Sequence, residues 1–236
     1  MSVNHLAQAV RAQLGIGRVL PLGGPRDGAW ITERAATEVL RWTVRTPAGV
    51  RLGALRLTTA DSAAAVDPPA VPAPPSALPP GPLRITADFT AVADRPLPAI
   101  AERLRAALLE AADRELGLLV SAADLRVSGL LEDGEGARED GRDAAPDRTP
   151  RPDGGTEPPG PIAAAALGVP GVAQLAPVLG GGSRAVRLAD GHALLQLAFT
   201  AGHRALDVAL AVRAAARSVE PPPLTVAVLV TAVERG

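Results

Sequence analysis

The sequence predicts an α+β fold made of two related sheet-and-helix modules, and three observations carry that reading. Residues 83–90 (LRITADFT) alternate Leu83, Ile85, Ala87 and Phe89 with Arg84, Thr86, Asp88 and Thr90, the period of a strand with one buried face. Residues 97–111 place Leu97, Ile100, Leu104, Ala107, Leu108 and Ala111 at three- and four-residue spacing, the pattern of an amphipathic helix. Beyond an acidic stretch rich in Pro and Gly, the same order of elements returns in shortened form.

Taken in order, Leu6, Ala9, Val10, Gln13 and Leu14 suggest a short amphipathic helix ended by Gly15 and Gly17, so residues 1–27 read as an N-terminal helix and loop. The first module is expected over 28–131. Its first helix takes Thr32 as N-cap, carries Ala35, Ala36, Val39, Leu40 and Val44 on one face and stops at Pro47. A strand follows at 51–58. Residues 67–82 (DPPAVPAPPSALPPGP) are too dense in proline for helix or central strand and read as an extended, polyproline-like insert. The strand of Phe89 comes next, then the helix, with Asp94 as its cap, Pro96 and Pro98 in its first turn and Gly117 closing it. A last strand over 123–131 should turn Leu125, Val127 and Leu130 inward.

Residues 132–161 combine mixed charge, Gly and Pro with almost nothing to bury, and read as a disordered acidic linker. The second, shortened module is expected over 162–236. Its first helix shrinks to 162–167, Asp190-Gly191 offers a hairpin turn, residues 192–200 (HALLQLAFT) parallel the strand of Phe89, a helix runs over 204–218, and residues 224–234 form the final strand. That strand and residues 124–132 both end in glutamate.

Composition removes several function classes. The 236 residues contain no cysteine, which excludes disulfides, thiolate metal sites and a thiol nucleophile, and suits a reducing cytosol. Every basic residue is arginine, so Schiff-base chemistry and a P-loop lysine are excluded. The formal charge of -1 gives no general pull toward nucleic acid or anionic lipid. No apolar run reaches the length of a spanning helix, and the first residues lack the pattern of an export signal. The expected location is cytoplasmic, or peripheral to a membrane through a partner, with no direct insertion.

Candidate chemistry is sparse. His192 and His203 stand at opposite ends of one strand, too far apart to share a metal, and His5 is remote in sequence. No serine sits in a Gly-x-Ser-x-Gly elbow. Gly23-Gly24 and Gly180 to Gly182 fit no nucleotide fingerprint and read as turns. Arg103, Arg105 and Arg114 alternate with Glu102, Glu110, Asp113 and Glu115, a solvated mixed-charge helix face. Trp30 and Trp42 flank the first helix and are the candidate interaction residues; the plainer alternative has them filling a core short of large side chains. No catalytic, cofactor-binding or metal-binding residue is assigned, and no cofactor or nucleic acid is expected.

Residues 31–131 resemble the alkaline shock protein family of bacterial envelope-stress proteins. The matching pieces are Ala48-Gly49-Val50, Leu97-Pro98-Ala99-Ile100-Ala101, Gly117-Leu118-Leu119-Val120 and Asp124-Leu125-Arg126-Val127, with Val169-Pro170-Gly171-Val172 the most distinctive piece of a degenerate second copy. The proline insert and the shortened helix 162–167 depart from the family pattern. The resemblance implies a small α+β module without catalysis, acting as an interaction or scaffold protein through self-association or docking to a membrane-anchored protein partner. The alternative is an anionic-ligand-binding or enzymatic protein with a site between the modules, held by Arg84, Arg126, Arg184 and Arg187. No sustained heptads support a fibrous reading.

Overall fold

The computed structural model describes residues 18–44, 49–60, 67–92, 96–131, 160–178 and 184–235. The expected N-terminal helix, the Asp94 cap and most of the 132–161 linker lie outside these residues. In chain order the elements are β1 (Val19–Leu22), β2 (Ala29–Thr32), α1 (Glu33–Thr43), β3 (Val50–Thr59), β4 (Leu83–Val92), α2 (Leu97–Ala111) with a π-helical turn (Ala112–Leu116), β5 (Val120–Leu131), α3 (Pro161–Leu167), β6 (Val172–Leu175), β7 (Val186–Ala189), β8 (His192–Thr200), α4 (Ala205–Arg217) and β9 (Thr225–Glu234). The fold is α+β. A three-stranded sheet has the order β3-β4-β5, and a six-stranded sheet has the order β1-β2-β9-β8-β6 with β7 also on β8.

The two halves share one pattern of pairing. In each, a central strand (β4 or β8) pairs antiparallel with a preceding strand and parallel with the strand that follows a crossover helix. Both first strands begin at a left-handed glycine, Gly49 at φ 78° and Gly171 at φ 89°, a conformation that favours glycine. The carbonyl of Gly49 accepts from the Val92 amide at 3.0 Å and that of Gly171 from the Thr200 amide at 2.8 Å. These bonds fix the correspondence: Val92 matches Thr200, so Ala91 matches Phe199 and Phe89 matches Leu197. The two Phe strands are equivalent, but the phenylalanines are offset by two residues, which keeps both on the core face. The same register matches Leu131 with Glu234, since each pairs with one of those two residues. The shared glutamate ending is therefore displaced by one position.

Residues 18–22 and 29–32 correct the expected N-terminal loop and the boundary at residue 28. They form a hairpin whose second strand pairs parallel with β9, Ala29 opposite Val228 and Ile31 opposite Val230. The N-terminal hairpin thus completes the sheet of the second half. The helices lie between the sheets, and α1 touches both β9 and β3. One continuous apolar core runs from Leu20 and Ile31 through Leu40, Phe89 and Leu104 to Leu197, Phe199 and Val230.

Local rules account for the helices. Thr32 caps α1 as its sequence position predicts, its Oγ1 accepting from the Ala35 amide at 3.3 Å. α2 has Pro96 at its N-cap and Pro98 in its first turn, buries Ile100, Leu104, Leu108 and Ala111, and ends through the π turn at left-handed Gly117. The Asp190-Gly191 hairpin has φ 51° and 75°, positive at both central residues as a type I′ turn requires.

The proline-rich insert has a packing role that composition did not suggest. Val71 is buried with Val19, Trp30, Leu194, Ala227 and Leu229 on the outer face of the large sheet. The Leu78 amide donates to the Val19 carbonyl at 2.8 Å, and Ala77 bridges Val19. The insert is a strap that covers one sheet face and lies along β1. This two-sided cover explains the unbroken burial of β8 from Ala193 to Phe199. β4, with one covered face, keeps a strict alternation.

The strap and the seam between the sheets give two expected outcomes. Val71→Ala should lower unfolding stability by roughly 1–3 kcal/mol through loss of buried apolar contact, and in a Trp42→Phe background should shift Trp30 fluorescence to the red. Glu33 accepts from the buried Leu57 amide at 3.1 Å. Glu33→Ala should cost about 1–3 kcal/mol by leaving that amide unpaired, with Glu33→Gln costing less; urea titration measures both.

Candidate functional site

The two candidate tryptophans are placed differently. Trp30 is 2% exposed beneath the strap, where it fills the core. Trp42 is half-buried with the Arg235 guanidinium 5.1 Å from its ring centroid, a cation–π contact. Both indole N–H groups are buried and have no acceptor among the described residues.

The other candidate groups do not converge. Arg84 pairs with Asp124 at 2.6 Å and Arg126 with Asp88 at 3.0 Å on the small sheet, whereas Arg187 lies on β7 of the large one. Arg184 is exposed just before β7. Among the described residues, no group of three or more His, Asp or Glu could hold a metal ion. Arg105 bonds Glu102 at 2.5 Å and Arg114 bonds Glu110 at 2.9 Å, as a mixed-charge helix face should. No helix among the described residues is long and apolar enough to cross a membrane.

Sheet edges reveal the feature that the residue patterns missed. An uncovered edge strand offers a row of backbone donors and acceptors to any passing strand. Among the described residues, three of the four sheet edges are managed. β1 lies under the strap, and β6 and β7 are only four residues each. On β3 the Leu57 amide is taken by Glu33, the Leu57 carbonyl accepts from Arg18 Nη1 at 3.3 Å, and the Gly53 carbonyl accepts from Arg41 Nη2 at 2.6 Å.

β5 is the fourth edge and the longest strand, twelve residues paired on one side with β4. Arg105 Nε reaches the Ala123 carbonyl at 2.9 Å. The registers Ile85 with Ala123, Ala87 with Leu125, Phe89 with Val127 and Ala91 with Leu130 put all four β5 residues on the core face, the last three as the sequence predicts. Burial does not follow. Ala123 is 3% exposed, Leu125 is half-buried, and Val127 and Leu130 are 40% and 60% exposed, because the cover that α2 gives the start of the strand does not reach its end. The expectation that Val127 and Leu130 are inside is corrected on this ground. At the other end, Leu119 is 51% exposed and lines an open groove of about 280 Å³ with Leu109, Leu118 and Val120.

Two serines shape this strand. Ser121 and Ser128 are extra residues without partners in the pairing with β4, and their hydroxyls donate to the carbonyls of Leu83 at 3.4 Å and Phe89 at 3.2 Å. The signal for the open edge was present as apolar residues running up to a segment, 132–159, that contains no Val, Leu, Ile, Met, Phe or Trp to cover them.

No family model, curated protein or solved structure matches the chain.

His192 supplies a separate test. Its Nδ1 lies 2.7 Å from Thr225 Oγ1, and burial lowers its pKa below 6.5. The neutral ring is favoured in the folded state, so stability is full above 6.5 and falls as pH drops through the lower folded value, where the unfolded chain binds the proton first. Thermal melts across that range should show the decline, and His192→Gln should flatten it.

Proposed function

We propose that this chain is a non-catalytic interaction or scaffold protein, built from two alkaline-shock-like units descended from one, that works by self-association or by docking to a membrane-anchored partner in the manner of envelope-stress proteins. The observation that supports the reading most is the unequal treatment of its sheet edges. Three are strapped, short or bonded by side chains at several backbone groups, while β5, where Arg105 meets the Ala123 carbonyl, presents a long edge beside exposed Leu119, Val127 and Leu130. An edge of this kind recognises protein by adding a strand, with main-chain hydrogen bonds giving affinity and flanking apolar side chains giving selectivity. The shared topology and the repeated Gly-Val turns support the duplicated unit.

Affinity capture from native cells tests the reading with the intact chain and a Val127→Lys, Leu130→Lys variant, both changes being at exposed positions. The intact chain should retain a specific protein, another copy included, and the variant should lose most of it. Equal recovery by both, or no recovered protein under conditions that preserve weak complexes, overturns the reading.

A further inference from the structure

We infer that the partner of β5 is the β5 strand of a second copy, paired antiparallel about Leu125, so that two small sheets join into one of six strands. This deepens the interaction reading above and rests on it. The strand is symmetric about Leu125. Its core-face residues are Val120, Ala123, Leu125, Val127 and Leu130, because the two shifts in register with β4 fall at Ser121 and Ser128. Measured from Leu125, the core-face positions lie two and five residues to either side. Bulges usually spoil edge pairing by breaking the alternation of faces. Here reversal of the strand carries one bulged region onto the other, so a second copy meets an edge whose irregularities match its own.

Charge follows the same symmetry. Asp124 and Arg126 stand one residue before and one after Leu125, both exposed on the opposite face. In antiparallel pairing about Leu125, each Asp124 faces Arg126 of the second copy, extending the Arg84–Asp124 and Asp88–Arg126 pairs already formed within one chain into a four-charge row across the junction. Registers centred on Asp124 or Arg126 would oppose like charges. On the core face, Leu125 meets Leu125 of the second copy, exposed Val127 meets Ala123, and exposed Leu130 meets Val120 at the groove lined by Leu109, Leu118 and Leu119. One two-fold axis thus covers Val127 and Leu130 and fills the groove, the self-complementary arrangement of an isologous dimer. The Ala123 carbonyl, already bonded by Arg105, retains a second lone pair for the incoming amide. The chain's own segment 132–159 offers no large apolar side chain for the same role.

Sedimentation velocity across the micromolar range on the full chain, with charge-swapped variants, tests the pairing. Asp124→Arg and Arg126→Asp each place like charges across the junction and should weaken the dimer about tenfold. A mixture of the two variants restores opposite charges at both positions and should form a heterodimer with affinity near that of the parent. Thermal melts confirm that the variants fold, which exposed ion pairs of small energetic weight permit. If one does not fold, Leu125→Lys replaces it, with loss of the dimer expected because two ammonium groups meet on the axis. A parent chain that stays monomeric, or variants that dimerise as well alone as mixed, overturns the self-pairing. The interaction reading fails separately, by the capture experiment, since a monomeric chain that still retains another protein through Val127 and Leu130 keeps that reading alone.

Discussion

A polar link between the two sheets runs through the backbone of one residue, Leu57. Its amide donates to Glu33 and its carbonyl accepts from Arg18, while the Glu33 amide donates to the Arg18 carbonyl at 2.7 Å. Both side chains come from the N-terminal hairpin and the first turn of α1, which belong to the large sheet, and Leu57 belongs to the edge of the small one. Glu33 is 9% exposed, so the bond forms where water offers little competition. α1 rises from this point between the sheets and sets their separation, and the apolar core fills the space that separation defines.

The chemistry of that core explains its shape. Only 2% of the chain is aromatic, and Trp30, Phe89 and Phe199 are all buried. The remaining volume is filled by Ala, Val and Leu, side chains that let helices approach sheets closely but shield little surface each. A small sheet with one covered face suffices where α1 and α2 supply the cover. The large sheet has apolar residues on both faces of β8 and β9 and needs a second cover, which the proline-rich strap provides with Val71 and Ala77. Proline suits this task, since it lies extended across a sheet without offering an amide to compete for the ladder.

Legibility in the sequence followed the range of the forces involved. The α1 cap at Thr32, the alternation of β4, the periodicity of α2, the Gly117 stop and the Asp-Gly hairpin are local, and each stands where its residues predicted. The strap was illegible because proline density describes backbone conformation, while Val71 acts through contacts with residues as far apart in sequence as Val19 and Leu229. Residues 18–22 read as loop because a four-residue strand has too few positions to show a period, and its partner's partner, β9, lies at the far end of the fold. For β5 the face was correct and the burial was not, since alternation says which way a side chain points but not whether a helix reaches over it. The open edge itself could only be seen once the other three were accounted for.

The pairing of β2 with β9 has a consequence for how the chain is made. Thr32 Oγ1 donates to the Thr231 carbonyl across 199 residues of sequence. During synthesis the first hairpin leaves the ribosome long before the strand it must pair with, and until β9 emerges its β2 edge has no partner in the large sheet. Contacts of such sequence separation slow folding and lengthen the exposure of unpaired strands. The large sheet can therefore close only after residue 225 onward has been translated.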